Sequence, residues 1–432
     1  MEKIVLLEKT ENKILPLHSV NCAPYNKGYR ENQYKVNSMF KLAHIPYSRL
    51  HDACGEYGGS YFVDVPNIFR DFDKDETNPC NYDFYYTDEY IRKIIEAGGQ
   101  IVYRLGISIE HGSKQYTTAP PKDMKKWARI CERIIAHYNE GWCDGFHYDI
   151  TYWEIWNEPE NPPMWSGSKE QYFELYRITS KYLKERYPKL KIGGYGSCGF
   201  YAVTNPEASE FQKSFIQYFK DFLILCREEH CPLDFFSWHI YTSSPEMLME
   251  HARYVRKTLN DYGFHDTESH LNEWNYGAEG GGFLDKHTNV GASFLAASLI
   301  DMQKSGVVDM AMYYVASMVC IYNGFLNQND RETWDIPFWV YVAFGEMFMK
   351  GKVQNVSCTE GIRALAAYDE EGLGLLVTNY SADVKEVEIV CEQPLCCYDM
   401  SQEIVNDGGK SVDTKRVVFE PYTTYYFRTM PK

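Results

Sequence analysis

The chain has 432 residues, 44% of them hydrophobic, enough to bury a core of barrel size with a smaller unit beside it. Its 60 acidic and 44 basic side chains leave a formal net charge of -16, which argues against nucleic acid or anionic membrane surfaces as partners. Neutral substrates fit better, and homo-oligomerisation is left open.

The 13 cysteines are odd in number and lack the repeated CxxC spacing of a zinc site, so they read as reduced thiols. No stretch approaches the length of about 18 apolar residues that a membrane span needs. The start, Met1 to Lys9, has too short an apolar run for a secretory leader. Cytoplasmic residence is therefore expected. Aromatic side chains make up 16% of the chain, which suits a ring-rich core and also a sugar cleft, where pyranose faces stack on rings.

From Ser19 to Gly351 short apolar runs alternate with segments of helical period, the pattern of βα units on a parallel sheet. Eight candidate strands are counted: Ser19 to Ala23, Tyr47 to His51, Gln100 to Leu105, Thr151 to Trp156, Lys191 to Gly194, Phe235 to His239, Ser269 to Trp274 and Met310 to Val315. The segment from Ala53 to Tyr86, rich in Gly, Asp, Asn and Pro, is longer than an ordinary βα loop and is expected to shape a site. Ser168 with Gln171 reads as a capping box, and Ser244 with Pro245 as a helix start. Met124, Trp127, Cys131, Ile134, Ile135 and Tyr138 keep a helical period as well.

After Gly351 the pattern turns to short β segments, Leu373 to Asn379, Val384 to Val390, Arg416 to Phe419 and Thr423 to Arg428, with a turn signal at Asn406 to Gly409. The expected fold is a (β/α)8 TIM barrel over 19–351 with a small C-terminal antiparallel β-sandwich over 352–432, which a strand from 1–18 joins.

In such a barrel the chemistry lies where strands end at their C-terminal edge. The second candidate strand ends Arg49-Leu50-His51-Asp52, the fourth Trp156-Asn157-Glu158-Pro159, the sixth His239-Ile240-Tyr241 and the seventh Asn272-Glu273-Trp274. Cleaving a glycosidic bond needs a protonated carboxyl at the leaving oxygen and an ionised one beneath the anomeric carbon. Glu158 and Glu273 are placed to supply both. A nearby ionised Glu273 is expected to raise the proton affinity of Glu158 by like-charge repulsion.

Glu154, four residues before Glu158 on the same strand, reads as a buried structural carboxylate. His51 and Asp52 suit substrate hydroxyls better than a metal. Cys391, Cys396 and Cys397 lack a fourth ligand, so no metal and no cofactor are expected. Trp165, Trp274 and Trp334 are candidate stacking platforms.

The stretch Tyr152 to Pro159, with His239-Ile240-Tyr241 and Asn272-Glu273-Trp274-Asn275, resembles clan A glycoside hydrolases and within them is most similar to family thirty-nine, the β-xylosidase and α-L-iduronidase family. The resemblance implies Glu158 as acid/base, Glu273 as nucleophile and Asn157 on the sugar 2-hydroxyl. It gives Arg49 the support of the nucleophile, and His239 and Tyr241 the lining of the subsite. It implies a retaining hydrolase acting on short oligosaccharides, first an exo-acting β-xylosidase. An α-L-arabinofuranosidase, β-glucosidase or uronidase is the alternative, and a non-catalytic carbohydrate-binding protein the reading from another class. The aromatic segment Tyr322 to Trp339 and the Ala53 to Tyr86 loop are expected to wall the barrel mouth into a pocket.

Overall fold

The computed structural model describes residues 2–22, 37–53, 61–109, 115–277, 285–316, 322, 324–327, 333–400 and 410–429. The turn signal at Asn406 to Gly409, and parts of the two expected mouth-forming segments, lie outside these residues. No helix among them is long and apolar enough to cross a membrane.

Among the described residues seventeen strands fall into two sheets. Eight form a closed parallel barrel: β2 (Ser19–Asn21), β3 (Tyr47–Arg49), β4 (Gln100–Leu105), β5 (Tyr152–Ile155), β6 (Lys191–Ser197), β7 (Phe235–Tyr241), β8 (Glu268–Asn275) and β9 (Met310–Tyr313). The expected eight strands are all present. β2, β3, β5 and β9 are shorter than read, β7 and β8 run slightly longer, and β6 runs on to Ser197 through the glycines after Gly193.

The flanking helices follow their caps. Ser168 accepts from Gln171 N and the Gln171 side chain returns the bond, which starts helix Lys169–Arg186. Ser209 does the same for helix Glu210–Glu228. The Ser244 side chain accepts from Met247 N at the head of Pro245–Asp261. Helix Met124–Glu140 ends at Gly141, whose φ of 77° is the left-handed cap that glycine takes without strain.

Side chains alternate across each barrel strand and so fill the interior in layers. The lowest is apolar, with Val102, Met310 and Met312 packed beside Tyr47 and Tyr152. Two residues beyond Val102 on β4 and Tyr152 on β5 come Arg104 and Glu154, both buried. The interior therefore turns from apolar to polar over one repeat of the strand, which is what a site at the upper end requires.

The other nine strands make one continuous mixed sheet that curls around a core of its own, the expected small β domain. They are β1 (Glu2–Lys13), β10 (Lys352–Cys358), β11 (Arg363–Tyr368), β12 (Leu373–Thr378), β13 (Lys385–Val390), β14 (Leu395–Asp399), β15 (Lys410–Ser411), β16 (Val417–Phe419) and β17 (Thr424–Thr429). Their order is β15-β14-β17-β12-β11-β10-β1-β13-β16, and every pair is antiparallel except β1 with β13. The N-terminal strand thus sits inside the sheet.

Ala364, Ala366, Leu375, Val377 and Phe427 form the sheet's own core, while Leu365, Ala367, Leu376 and Tyr426 point the other way into the main core with the barrel helices. Burial on both faces makes β11 read as Arg-Ala-Leu-Ala-Ala-Tyr with no alternation, which is why the pattern gave no strand there. Polar ties reinforce the contact: Arg363 Nε donates to Asp301 at 2.8 Å and Lys350 pairs with Asp369 at 3.1 Å.

Candidate active site

The upper end of the barrel gathers the polar strand ends around Arg49. This side chain is wholly buried, and its guanidinium donates to Glu154 Oε2 at 2.7 Å, Glu273 Oε1 at 2.8 Å, Asn157 Oδ1 at 2.5 Å and Asn21 Oδ1 at 3.3 Å. Burial works to lower its proton affinity, but Glu154 and Glu273 outweigh it and hold the cation above its ordinary range. Glu154 is the buried structural carboxylate expected: its Oε1 accepts from Ser237 Oγ and Asn272 Nδ2, each at 2.6 Å.

Two irregular strands aim the residues. On β8 one extra residue intervenes between the pairs Trp238 with Leu271 and His239 with Glu273, and the pairing with β9 shows the same excess. This bulge turns Asn272 and Glu273 both inward, where a regular strand would send them to opposite faces. On β6 the register slips between Gly194 and Ser197, and Gly196 takes a φ of 64°. A Cβ on Gly196 would lie 2.8 Å from Asn157 Oδ1 and 3.2 Å from Arg49 Nη2, so only glycine lets β6 approach the cluster.

Glu158 follows β5 with a φ of 46°, its N–H shared between the carbonyls of Tyr195 at 3.1 Å and Gly196 at 2.9 Å. Its Oε1 lies 2.8 Å from His239 Nδ1, and its Oε2 accepts from Asn161 Nδ2 at 3.1 Å. Across the barrel Glu273 Oε2 accepts from the Tyr241 hydroxyl at 2.9 Å. One oxygen of Glu158, one of Glu273 and a ring nitrogen of His239 lie within 4.8 Å of one another. That grouping has the right atom types for a cation, but Arg49 and the Glu158–His239 bond already engage these side chains.

The proton affinities depart from expectation in one respect. Burial raises that of Glu158, yet the hydrogen bond and charge of His239 outweigh it and hold the carboxyl below its ordinary value. His239 moves oppositely: burial lowers it, but Glu273 and Glu158 together raise it. The like-charge effect expected from Glu273 is thus answered by the imidazole between the two carboxylates. Joined at 2.8 Å, Glu158 and His239 titrate as a pair.

His51 lies 3.6 Å from Glu273 Oε1 and 3.5 Å from Asp52 Oδ2, and burial with the neighbouring Arg49 and Arg104 keeps it neutral. Asp52 accepts from Tyr314 Oη at 2.9 Å and from Ile109 N at 3.1 Å, and burial with the Glu273 charge pushes it up to about 6.

The structure thus gathers Arg49, His51, Asp52, Asn157, Glu158, His239, Tyr241 and Glu273 at one end of the barrel. The tryptophans are different. Trp274 is fully buried between Phe294 and Tyr313, and Trp165 between Trp156 and Tyr172, so neither ring offers a sugar an open face. An outward position beside the bulge explains Trp274. Trp334 packs half-buried on Phe40 and Phe338.

Sequence reasoning missed Asn21, Asn161, Ser237 and Tyr314. An asparagine inside an apolar strand was the available signal for Asn21, since asparagine is rare in strands unless its amide is used. It donates to the Asn272 carbonyl at 2.7 Å.

Comparison with known proteins agrees with this geometry. The profile of Glycosyl hydrolases family 39 matches residues 32–318. A β-xylosidase of Geobacillus stearothermophilus is 26% identical over 247 residues, 50% of this chain and 46% of that protein. One of Caldicellulosiruptor saccharolyticus is 26% identical over 172 residues, covering 37% and 31%. The matches span less than half the length of these relatives. Among solved structures, a glucosidase from Croceicoccus marinus superposes with a TM-score of 0.77 at 21% identity over 100% of this chain and 99% of that one. A monomeric β-xylosidase from Caulobacter crescentus CB15 gives 0.72 at 14% identity over the whole of both chains. At such identities the likeness is one of fold, whereas the profile match covers well over half of the sequence: the chain belongs to glycosyl hydrolases family 39.

Proposed function

We propose that the protein is a retaining glycoside hydrolase that removes single β-linked xylose residues from the non-reducing end of short neutral oligosaccharides. The observation that carries this is the approach of Glu158 and Glu273 to within 4.8 Å, since retaining enzymes hold their two carboxyl groups about 5–5.5 Å apart and inverting ones leave room for a water. Xylose is favoured because both relatives named above are β-xylosidases.

In the first step Glu273, oriented by the hydrogen bonds of Arg49 and Tyr241, attacks the anomeric carbon while Glu158 protonates the departing oxygen. The proton comes from the pair that Glu158 makes with His239. Excluding water over a bound sugar penalises an ion pair more than two neutral partners, and so moves the shared proton to Glu158. Esterification of Glu273 then removes its charge. Glu158, now a carboxylate, takes a proton from a water whose oxygen attacks the anomeric carbon; the bond to Glu273 breaks, and the sugar leaves with its configuration retained.

Asn157, fixed by Arg49, is assigned the 2-hydroxyl, and His51 and Asp52 the hydroxyls on the other side. The same reading takes 19–351 as the catalytic unit, with 352–432 and the first strand as its supporting sheet. A reducing, cytoplasmic setting suits the cysteines, because the buried Cys131, Cys226 and Cys231 stand as free thiols.

A panel of aryl glycosides differing in sugar and anomer, followed by time courses on labelled xylo-oligosaccharides, tests the proposal. Preference for the β-D-xyloside and stepwise loss of single sugars are expected. Preference for an arabinofuranoside or glucoside, or early mid-length fragments, would overturn the substrate assignment.

A further inference from the structure

Two residues after Glu158 lies a third carboxyl that the reaction above does not use. Glu160 Oε1 accepts two hydrogen bonds, from Ser197 Oγ and from Cys198 N, both at 2.8 Å. Its Oε2 is closed off from solvent and receives none. An ionised carboxylate spreads its charge over both oxygens, and leaving one buried without a donor is costly; a neutral acid leaves only a hydroxyl there, which costs far less to bury than a charge. The one-sided donor set is that of a protonated carboxyl, with the C=O at Oε1 and the hydroxyl at Oε2.

The groups that face Glu160 agree. They are Glu158 on its own loop, the Cys198 thiol at the end of β6, Tyr195 on β6, Tyr172 on helix Lys169–Arg186 and Tyr218 on helix Glu210–Glu228. Among these described residues there is no cation. Burial, with the Glu158 charge, pushes the carboxyl up to about 7 against the lowering effect of its own backbone N–H, Cys198 N and Ser197. The Tyr218 hydroxyl is also buried and unpartnered, its ring centroid 5.3 Å from that of Tyr195.

The clamp joins two segments that must stay in register. Glu160 fastens the loop carrying Glu158 to Ser197 and Cys198, just beyond the carbonyls of Tyr195 and Gly196 that receive the Glu158 N–H. We propose that Glu160 is a positioning residue which works as a neutral acid, clamping the Glu158 loop to the end of β6, and that its ionisation releases the clamp and sets the alkaline limit of turnover. Once charged, its enclosed oxygen must reach water, and the loop that moves to allow this carries Glu158. The proposal rests on the assignment of Glu158 as acid/base.

The test compares wild type with Glu160→Gln, whose amide oxygen can accept the same two bonds without ever ionising. Difference infrared spectra at pH 6 should show a protonated carboxyl band in the wild type that Glu160→Gln lacks and that fades on raising the pH. The variant should keep kcat on an aryl xyloside within about twofold at pH 6, as a structure-preserving change would, while its alkaline limb moves upward. Absence of a Glu160 band at pH 6, a loss above about tenfold in the variant at that pH, or an unmoved alkaline limb would each overturn the proposal. Should the variant not fold, carboxyl NMR of wild-type protein labelled in glutamate must still find one group titrating near neutrality. The spectroscopic readouts do not depend on turnover, so failure of the Glu158 assignment would show separately, as retained activity of Glu158→Ala on poor leaving groups.

Discussion

Replacing Arg49 by methionine strikes the polar layer of the barrel at its centre. The change keeps much of the volume but removes the donors to Glu154, Glu273, Asn157 and Asn21, leaving two carboxylates, 0% and 7% exposed at their side chains, without their cation. Breaking a buried pair by removing one partner costs about 3–5 kcal/mol. At about 2.1 cal/mol/K per residue the unfolding entropy of 432 residues is roughly 0.9 kcal/mol/K, so the melting temperature should fall by roughly 3–6 °C. Activity should fall further in proportion. Losing a fixed donor beside a reacting charge costs about 10²–10³ in kcat, and Asn157 is set loose at the same time. Arg49→Lys keeps the charge but not the planar fork, and should recover only part of the loss. Calorimetry and steady-state kinetics on an aryl xyloside measure both quantities. A melting point within about 1 °C of wild type together with kcat within about tenfold would refute the view that Arg49 organises the site.

Gly196→Ala should lower kcat by at least about tenfold with little change in aryl-xyloside KM, because its Cβ meets Asn157 and Arg49 at a strained positive φ; unchanged kinetics would show that β6 can yield. Asp52 rises from 3.8 to about 6 on folding, so the folded chain holds its proton more tightly and stability falls as pH rises through that interval. Asp52→Asn should therefore raise the melting temperature above pH 6 and give no such gain below pH 4, at the cost of weaker substrate binding; a gain equal at both pH values would contradict the sign. Glu158→Ala should lose natural linkages while dinitrophenyl glycosides still form the covalent intermediate, with azide returning turnover as a glycosyl azide of retained configuration. Equal loss on every substrate, with no azide effect, would remove Glu158 from its role.

The barrel was legible in the sequence because parallel strands buried on both faces read as apolar runs at regular spacing, and because polar residues crowd their C-terminal ends. Arg49, Asn157, Glu158, His239, Tyr241 and Glu273 all stood at such ends. Features set by register were less visible. The bulge that turns Asn272 and Glu273 both inward leaves no mark on composition, and the same blindness made Trp274 read as a sugar platform when it faces the helices. The interposition of His239 between Glu158 and Glu273 depends on distances that strand-end motifs do not fix, so the sign expected for Glu158 came out reversed. In the second sheet β11 was hidden by burial on both faces, and β10 and β14 by mixed polarity at half-buried positions.

The central claim is that Glu273 becomes covalently bound to the sugar. Incubation with a 2-deoxy-2-fluoro β-xyloside bearing a good leaving group, followed by proteolysis and mass spectrometry, reads this directly, since the fluorine slows breakdown of the glycosyl-enzyme more than its formation. The account predicts stoichiometric inactivation, with the label on the peptide containing Asn272-Glu273-Trp274 and none in Glu273→Ala. A label on any other residue, or slow turnover with no covalent species, would contradict it.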